Sequence, residues 1–260
     1  MKARILAYHR LSDRPSAGVE QWAVRPAAFR RQMALLKRLG YRGVSVQTLL
    51  TAIESCKAPE KLVGISFDDG YRDTVTIAAP VLREFGFAAT VYVVPDAVGG
   101  EATWEQGGTT APLASWEELS GLVEAGWEIG MHSRSHPARF DLLRGEELDD
   151  EARSGVAAIQ ERLATPVVTF AYPHGHYSDA SLAALDRAGY RWAVTTVPGE
   201  VSADSEPLEL PRYEIKRRDT LLEFAMLMLA GVLLRRRRTF ARLVPGRRRP
   251  SSESTARVGT

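Results

Sequence analysis

Leu62-Val63-Gly64-Ile65-Ser66-Phe67-Asp68-Asp69-Gly70-Tyr71-Arg72-Asp73 is an apolar run that stops on adjacent carboxylates and a glycine. A short apolar run bounded by a turn signal reads as a buried strand. Neighbouring side chains on an extended chain point in opposite directions, so the acids can divide their labour. One can bind a cation while the other stays free to accept a proton. Further along, His132-Ser133-Arg134-Ser135-His136 sets imidazoles at i and i+4, a spacing that brings both to the same side of one helical turn. Asp69, His132 and His136 make a donor set for a metal with an open position, leaving Asp68 as the base.

Working outward, apolar stretches at residues 3–8, 88–94, 127–131, 167–171 and 191–196 read as further strands. Segments of helical period lie between them, with Phe29, Met33, Leu36 and Leu39 in one and Leu119, Leu122 and Val123 in another. Gly40, Gly86, Gly126 and Gly189 close helical stretches, Ser115 opens one as a capping box, and Ser178 or Asp179 caps another. Residues 95–114 read as a long loop. Alternation of this kind predicts an α/β chain with mainly parallel strands. The polar residues fall at the carboxyl ends of the candidate strands: Tyr8-His9, Asp68-Asp69, His132, and Tyr172-Pro173. In a barrel those ends converge on one mouth.

At 260 residues, with 45% hydrophobic and 25% charged residues, the chain is long enough for a large folded core and unlike a disordered one. Its single cysteine, Cys56, excludes an intrachain disulfide or a cysteine-based zinc site and reads as a small buried side chain. The start, Met1 to His9, lacks the apolar core of a secretory signal, which makes a cytoplasmic location the expectation. The net charge of +2 hides an asymmetry, because residues 235–260 hold nine arginines against the single acid Glu253. We expect a catalytic domain over residues 1–220, an apolar helix over 221–234 and a disordered tail over 235–260. The helix is too short to span a bilayer. With Arg235 to Arg238 behind it, it could rest on an anionic membrane surface, although packing on the barrel is favoured. No aromatic platform accompanies Arg247 to Arg249, so no nucleic-acid partner is expected.

Amide or ester hydrolysis at such a site also needs an acid for the departing group. With His132 and His136 used as ligands, His9, His174 and His176 are the candidates.

The chain resembles the polysaccharide deacetylases of the NodB-homology, carbohydrate esterase family four type. Residues 66–73 resemble the first motif of that family, residues 132–136 its His-Ser/Thr-x-x-His motif, and Phe170-Ala171-Tyr172-Pro173-His174-Gly175 its third. The resemblance implies a distorted (β/α)7 barrel, Asp68 as base, Asp69, His132 and His136 as metal ligands, and an N-acetylated glycan or amino-sugar substrate. It also implies that the backbone around Tyr172 and Pro173 steadies the oxyanion. The metal implied is divalent, zinc first, with Co, Mn, Ni or Fe compatible with the same donors. The Leu-x-His motif that usually supplies the acid near the C-terminus is absent, since no histidine follows His176. Ile5 to His9 resembles instead the N-terminal strand of the circularly permuted poly-N-acetylglucosamine deacetylases, which points to His9 as the acid. Leu210-Pro211-Arg212 resembles a segment of that branch whose arginine orients the base. Trp104 and Trp116 could stack on a sugar ring. The alternatives are a metal-dependent hydrolase of another amide, such as a cyclic imide or ureide, and a sugar-binding protein without turnover.

Overall fold

The computed structural model of the protein describes residues 2–15, 18–55, 61–105 and 111–230. Cys56, residues 231–234 of the expected apolar helix and the arginine-rich segment lie outside the described residues. The first half runs β1 (Arg4–Tyr8), β2 (Arg10–Leu11), β3 (Ala23–Val24), α1 (Pro26–Arg38), β4 (Arg42–Val44), α2 (Val46–Glu54), β5 (Leu62–Phe67), α3 (Ala79–Phe85) and β6 (Thr90–Val93). The second half runs α4 (Trp116–Glu124), β7 (Glu128–Met131), α5 (Gly145–Arg153), α6 (Val156–Leu163), β8 (Thr169–Ala171), α7 (Asp179–Ala188), β9 (Trp192–Val194), β10 (Tyr213–Glu214) and α8 (Leu221–Ala230).

The main sheet has the order β10-β1-β5-β6-β7-β8-β9, and every pairing along it is parallel. β4 lies beside the first half of β5, and β6 takes over the same edge from Ser66. A parallel bridge from Val194 to Leu210 joins β9 to the segment that leads into β10. Thr195 N–H donates to Leu210 O at 2.8 Å and Leu210 N–H to Ala193 O at 2.9 Å. Residues 210–214 therefore touch β9 at one end and β1 at the other, and the curled sheet closes into the expected barrel. All six residues of β5 are buried, as a strand covered on both faces requires.

Sequence punctuation is realised locally. Phe29, Met33 and Leu36 are buried on α1, and Leu119 and Leu122 on α4. Gly86 and Gly189 end α3 and α7 in left-handed conformations, φ 68° and 83°, that a side chain would oppose. Ser115 and Glu118 form the capping box of α4, and Ser178 caps α7. β4 and β10 have no counterpart among the expected strands. With three and two residues they are too short for alternation to be read.

α8 packs on α1 through Phe224, Leu227 and Met228, and the Arg4 guanidinium and Tyr41 hydroxyl donate to Met228 O at 3.2 and 3.1 Å. Leu222 and Leu229 remain 68% exposed. Among the described residues no helix is long and apolar enough to cross a membrane.

Inside the barrel Gly130 lies in register with Tyr92. A Cβ at Gly130 would stand 2.5 Å from the Tyr92 ring carbons and 2.7 Å from Thr169 Oγ1. Gly130→Ala is expected to lower stability by about 1–3 kcal/mol through overpacking. Gly121→Ala on α4, where a Cβ meets nothing within 4 Å, should raise it by about 0.5–1 kcal/mol. Thermal unfolding of both variants checks the pair, and a Gly130→Ala melt equal to that of the parent would contradict the packing.

Candidate active site

The parallel strands deliver His9, Asp68, His132 and Tyr172 to one end of the barrel, each immediately after its strand. They line a pocket of about 340 Å³ together with Asp69 and His136. After β5 the chain turns sharply, with Asp69 at φ 71° and Gly70 at φ 74°. That turn sends the two carboxylates apart, as the alternation of side chains predicts.

Asp68 faces inward to Arg212. The guanidinium and carboxylate meet edge to edge, with Nη1 to Oδ1 at 2.6 Å and Nη2 to Oδ2 at 2.7 Å. Arg212 also donates through Nε to Thr195 O at 2.9 Å and through Nη1 to Ser66 Oγ at 3.1 Å, and lies over the Tyr92 ring at 5.6 Å. Arg212 is fully buried and Asp68 is 2% exposed. Burial alone would raise the Asp68 pKa, but the charge and hydrogen bonds of Arg212 outweigh it and hold the carboxyl below its ordinary value.

Asp69 faces the histidines. Its Oδ1 is 3.4 Å from His132 Nε2 and 3.2 Å from His136 Nε2. The expected helical turn between the histidines is not present. Residues 132–136 form a loop in which Ser133 and His136 take φ of 63° and 62°, and Ser133 Oγ accepts from His136 N–H at 3.0 Å. Glu151 on α5 holds this loop by accepting from Ser135 N–H at 3.0 Å through its carboxylate and from Arg134 N–H at 3.0 Å through its backbone carbonyl. A tight loop, rather than helical periodicity, brings the rings to 5.0 Å centroid separation.

The donor set fits a divalent cation. His132 Nδ1 lies 2.7 Å from Ala171 O, a carbonyl that can only accept, so Nδ1 carries the proton and Nε2 of the neutral ring presents a lone pair. That lone pair faces the Asp69 carboxylate, an arrangement that requires a proton or a cation between them. The three ligand atoms lie within 4.8 Å of one another and all three residues are buried. With protons rather than a cation in that place, the burial of Asp69 is outweighed by the hydrogen bonds and charges of both imidazoles, which bring its pKa well below its ordinary value.

His9 stands beside Asp68, with Nε2 3.8 Å from Asp68 Oδ2 and its ring 6.3 Å from that of Trp22. His174 lines the same pocket, its ring edge-on to His136 at 4.7 Å, whereas His176 lies 3.2 Å from Ala138 O through Nδ1. The Tyr172 ring is a core side chain stacked on Tyr177 at 4.9 Å, with its hydroxyl donating to Leu208 O at 3.0 Å. Its N–H donates to Val194 O at 3.3 Å, and Pro173, also buried, has no N–H to offer. Trp104 stacks on His136 at 4.4 Å, while Trp116 lies away from the pocket under the Arg162 guanidinium at 5.1 Å. Trp22, Tyr71 and Glu105 also line the pocket. Nothing in the sequence around them distinguishes them, because their loops carry no periodicity.

A family model described as polysaccharide deacetylase matches residues 56–193. The Bacillus subtilis protein YxkH, whose name places it in the same family, is 26% identical over 215 residues, which cover 82% of this chain and 71% of YxkH. The poly-β-1,6-N-acetyl-D-glucosamine N-deacetylase of Staphylococcus aureus (strain MRSA252) is 23% identical over 208 residues, covering 77% and 70% of the two chains. Among solved structures, the Streptococcus pyogenes deacetylase PplD in complex with acetate superposes with a TM-score of 0.77 at 24% identity, over 88% of this chain and 98% of that one. It shares the fold.

Removing Arg212 would leave Asp68 buried without its counter-ion. Arg212→Met is expected to cost about 3–5 kcal/mol in urea unfolding at neutral pH, and Asp68→Asn in the same chain to recover part of it. The sign of the pH dependence follows from the depressed Asp68 value. The pair contributes fully above the ordinary carboxylate pKa, and its contribution is lost as pH falls through the depressed one. The gap between wild type and Arg212→Met should therefore shrink on acidification. A gap independent of pH would contradict the pairing.

Proposed function

The chain belongs to the polysaccharide deacetylase family, and from that premise we propose that it is a metal-dependent hydrolase removing acetyl groups from a polymer of N-acetylglucosamine. The similarity to a poly-β-1,6-N-acetyl-D-glucosamine N-deacetylase favours the β-1,6-linked polymer as substrate. The observation that carries the reading is the gathering of two proton-handling groups, Asp68 and His9 at 3.8 Å from each other, in one pocket with the Asp69, His132 and His136 donor set.

A divalent cation held by Asp69, His132 and His136, zinc first among Zn, Co, Mn, Ni and Fe, would lower the pKa of water and polarise the acetyl carbonyl. Asp68 is the base. Arg212 keeps it ionised and occupies one lone pair on each oxygen, so that a second remains for the proton of the attacking water. His9, 3.8 Å from Asp68, gives a proton to the nitrogen as the carbon–nitrogen bond breaks. The balance is one water consumed, with acetate and a free amine released. Trp22 beside His9 and Trp104 beside His136 wall the pocket with flat apolar surface suited to a sugar ring. The place of His9 supports turnover over a sugar-binding role without chemistry.

Release of free amine from β-1,6-linked N-acetylglucosamine oligomers tests the reading. Chelation should abolish it and Zn, Co, Mn, Ni or Fe should restore it. His132→Ala and His136→Ala should lose bound metal as well as activity. Asp68→Asn and His9→Ala should keep metal and fall by about two to four orders of magnitude in kcat. Asp68→Asn turning over at the wild-type rate would refute the assignment of the base.

A further inference from the structure

The wall of the pocket next to the donor set carries polar groups that hydrolysis leaves unused. Glu105 follows Trp104 in the chain and lines the pocket, with its side chain only 1% exposed. Among the described residues neither Glu105 oxygen has a hydrogen-bond partner. Arg10 Nη1 stands 3.7 Å from Oε1, beyond hydrogen-bonding distance, while Arg10 Nε donates to Asp73 at 3.3 Å and its guanidinium lies over the Tyr71 ring at 5.2 Å. The Tyr71 hydroxyl faces the same carboxylate without closing a well-formed hydrogen bond, and burial with the Asp69 and Glu105 charges keeps it protonated. Trp104 Nε1 is also buried without a partner.

Among the described residues, a buried carboxylate with no donor in hydrogen-bonding geometry and a buried indole N–H with no acceptor are each costly. They sit side by side on one wall. A ligand that offers adjacent hydroxyl groups relieves both, since hydroxyl hydrogens satisfy Glu105 and a hydroxyl oxygen accepts from Trp104 Nε1. An apolar hydrocarbon relieves neither, and a secondary amide brings a single N–H where both Glu105 oxygens lack a donor. The stack of Trp104 on His136 at 4.4 Å fixes this wall one ring thickness from a metal-ligating side chain. A pyranose whose acetamido group lies at the donor set would reach it.

We propose that Glu105 and Trp104 form a subsite for the hydroxyl groups of the sugar being deacetylated, and that this subsite selects sugars over other acetylated compounds. The inference rests on the amide-hydrolase reading of the same pocket. It places the negative charge of Glu105 in ligand recognition rather than in the Arg10 pair alone.

The experiment compares two substrates and one binding reaction on the full chain. Glu105→Gln should lower kcat/KM on β-1,6-linked N-acetylglucosamine oligomers by about 10- to 100-fold, through KM. On p-nitrophenyl acetate, which has no sugar hydroxyls, its fall should be at least ten times smaller. Calorimetric titration of the oligomer into Asp68→Asn, and into Asp68→Asn with Glu105→Gln, should show the same weakening without turnover. Trp104→Phe, which keeps the ring and removes the donor, should weaken binding in the same direction. Equal losses on both substrates, or unchanged oligomer affinity, would overturn the subsite. Binding to Asp68→Asn without turnover by wild type would sink the hydrolase reading and leave the subsite standing. Turnover of p-nitrophenyl acetate without oligomer binding would do the reverse.

Discussion

A guanidinium buried inside the barrel against a buried carboxylate is the contact on which the remaining architecture depends. Taking both ions out of water costs several kcal/mol each, and only close geometry with further hydrogen bonds from the remaining donors offsets that. Arg212 places four of its five N–H groups, two on Asp68 at 2.6 and 2.7 Å, one on Ser66 Oγ at 3.1 Å and one on Thr195 O at 2.9 Å. These partners belong to β5 and to the chain just after β9, and Arg212 itself immediately precedes β10. One side chain thus ties the closing segment to the strand that carries the base. The same contact sets the direction of Asp68, and the left-handed turn behind it turns Asp69 the other way.

Polar groups extend below that pair. Ser66, Thr90 and Glu128 are in register on adjacent strands, and Glu128 accepts from Thr169 Oγ1 at 2.6 Å and from Gln47 N–H at 2.8 Å at the start of α2. Burial raises the Glu128 pKa above its ordinary value despite these donors. Tyr92 fills the space left by Gly130 and lies under Arg212. The barrel interior therefore holds a stack of polar groups in which Ser66, Thr90, Glu128 and Thr169 are hydrogen-bonded, leaving these side chains little freedom. Strand ends rooted in such a stack hold the donor set and the base, while Trp22, Trp104 and Glu105 come from loops.

Legibility in the sequence followed the length of the signal. β5 appeared at its full extent because six apolar residues end on charged ones, whereas β10 is two residues long and could not be seen. Asp68, Asp69, His132 and His136 were identifiable because their residue types are the chemistry. Their geometry was not. The i, i+4 spacing suggested a helical turn, but anchoring by Glu151 and left-handed conformations at Ser133 and His136 produce a loop instead. Arg212 became visible only through a resemblance, since nothing local distinguishes a buried arginine from an exposed one. Glu105 gave no signal, because what sets it apart is the lack, among the described residues, of a hydrogen-bond partner after folding.

The place of His9 follows from strand order. Here β10 pairs with β1, and β1 pairs with β5. His9 consequently emerges between the strand carrying Asp68 and the segment carrying Arg212. A closed ring has no beginning, so a proton donor at the end of β1 can occupy the space that a donor from a C-terminal strand would fill. Chain order then carries no information about which side of the mouth a residue faces. Strand adjacency carries it, and adjacency sets His9 Nε2 at 3.8 Å from Asp68 Oδ2.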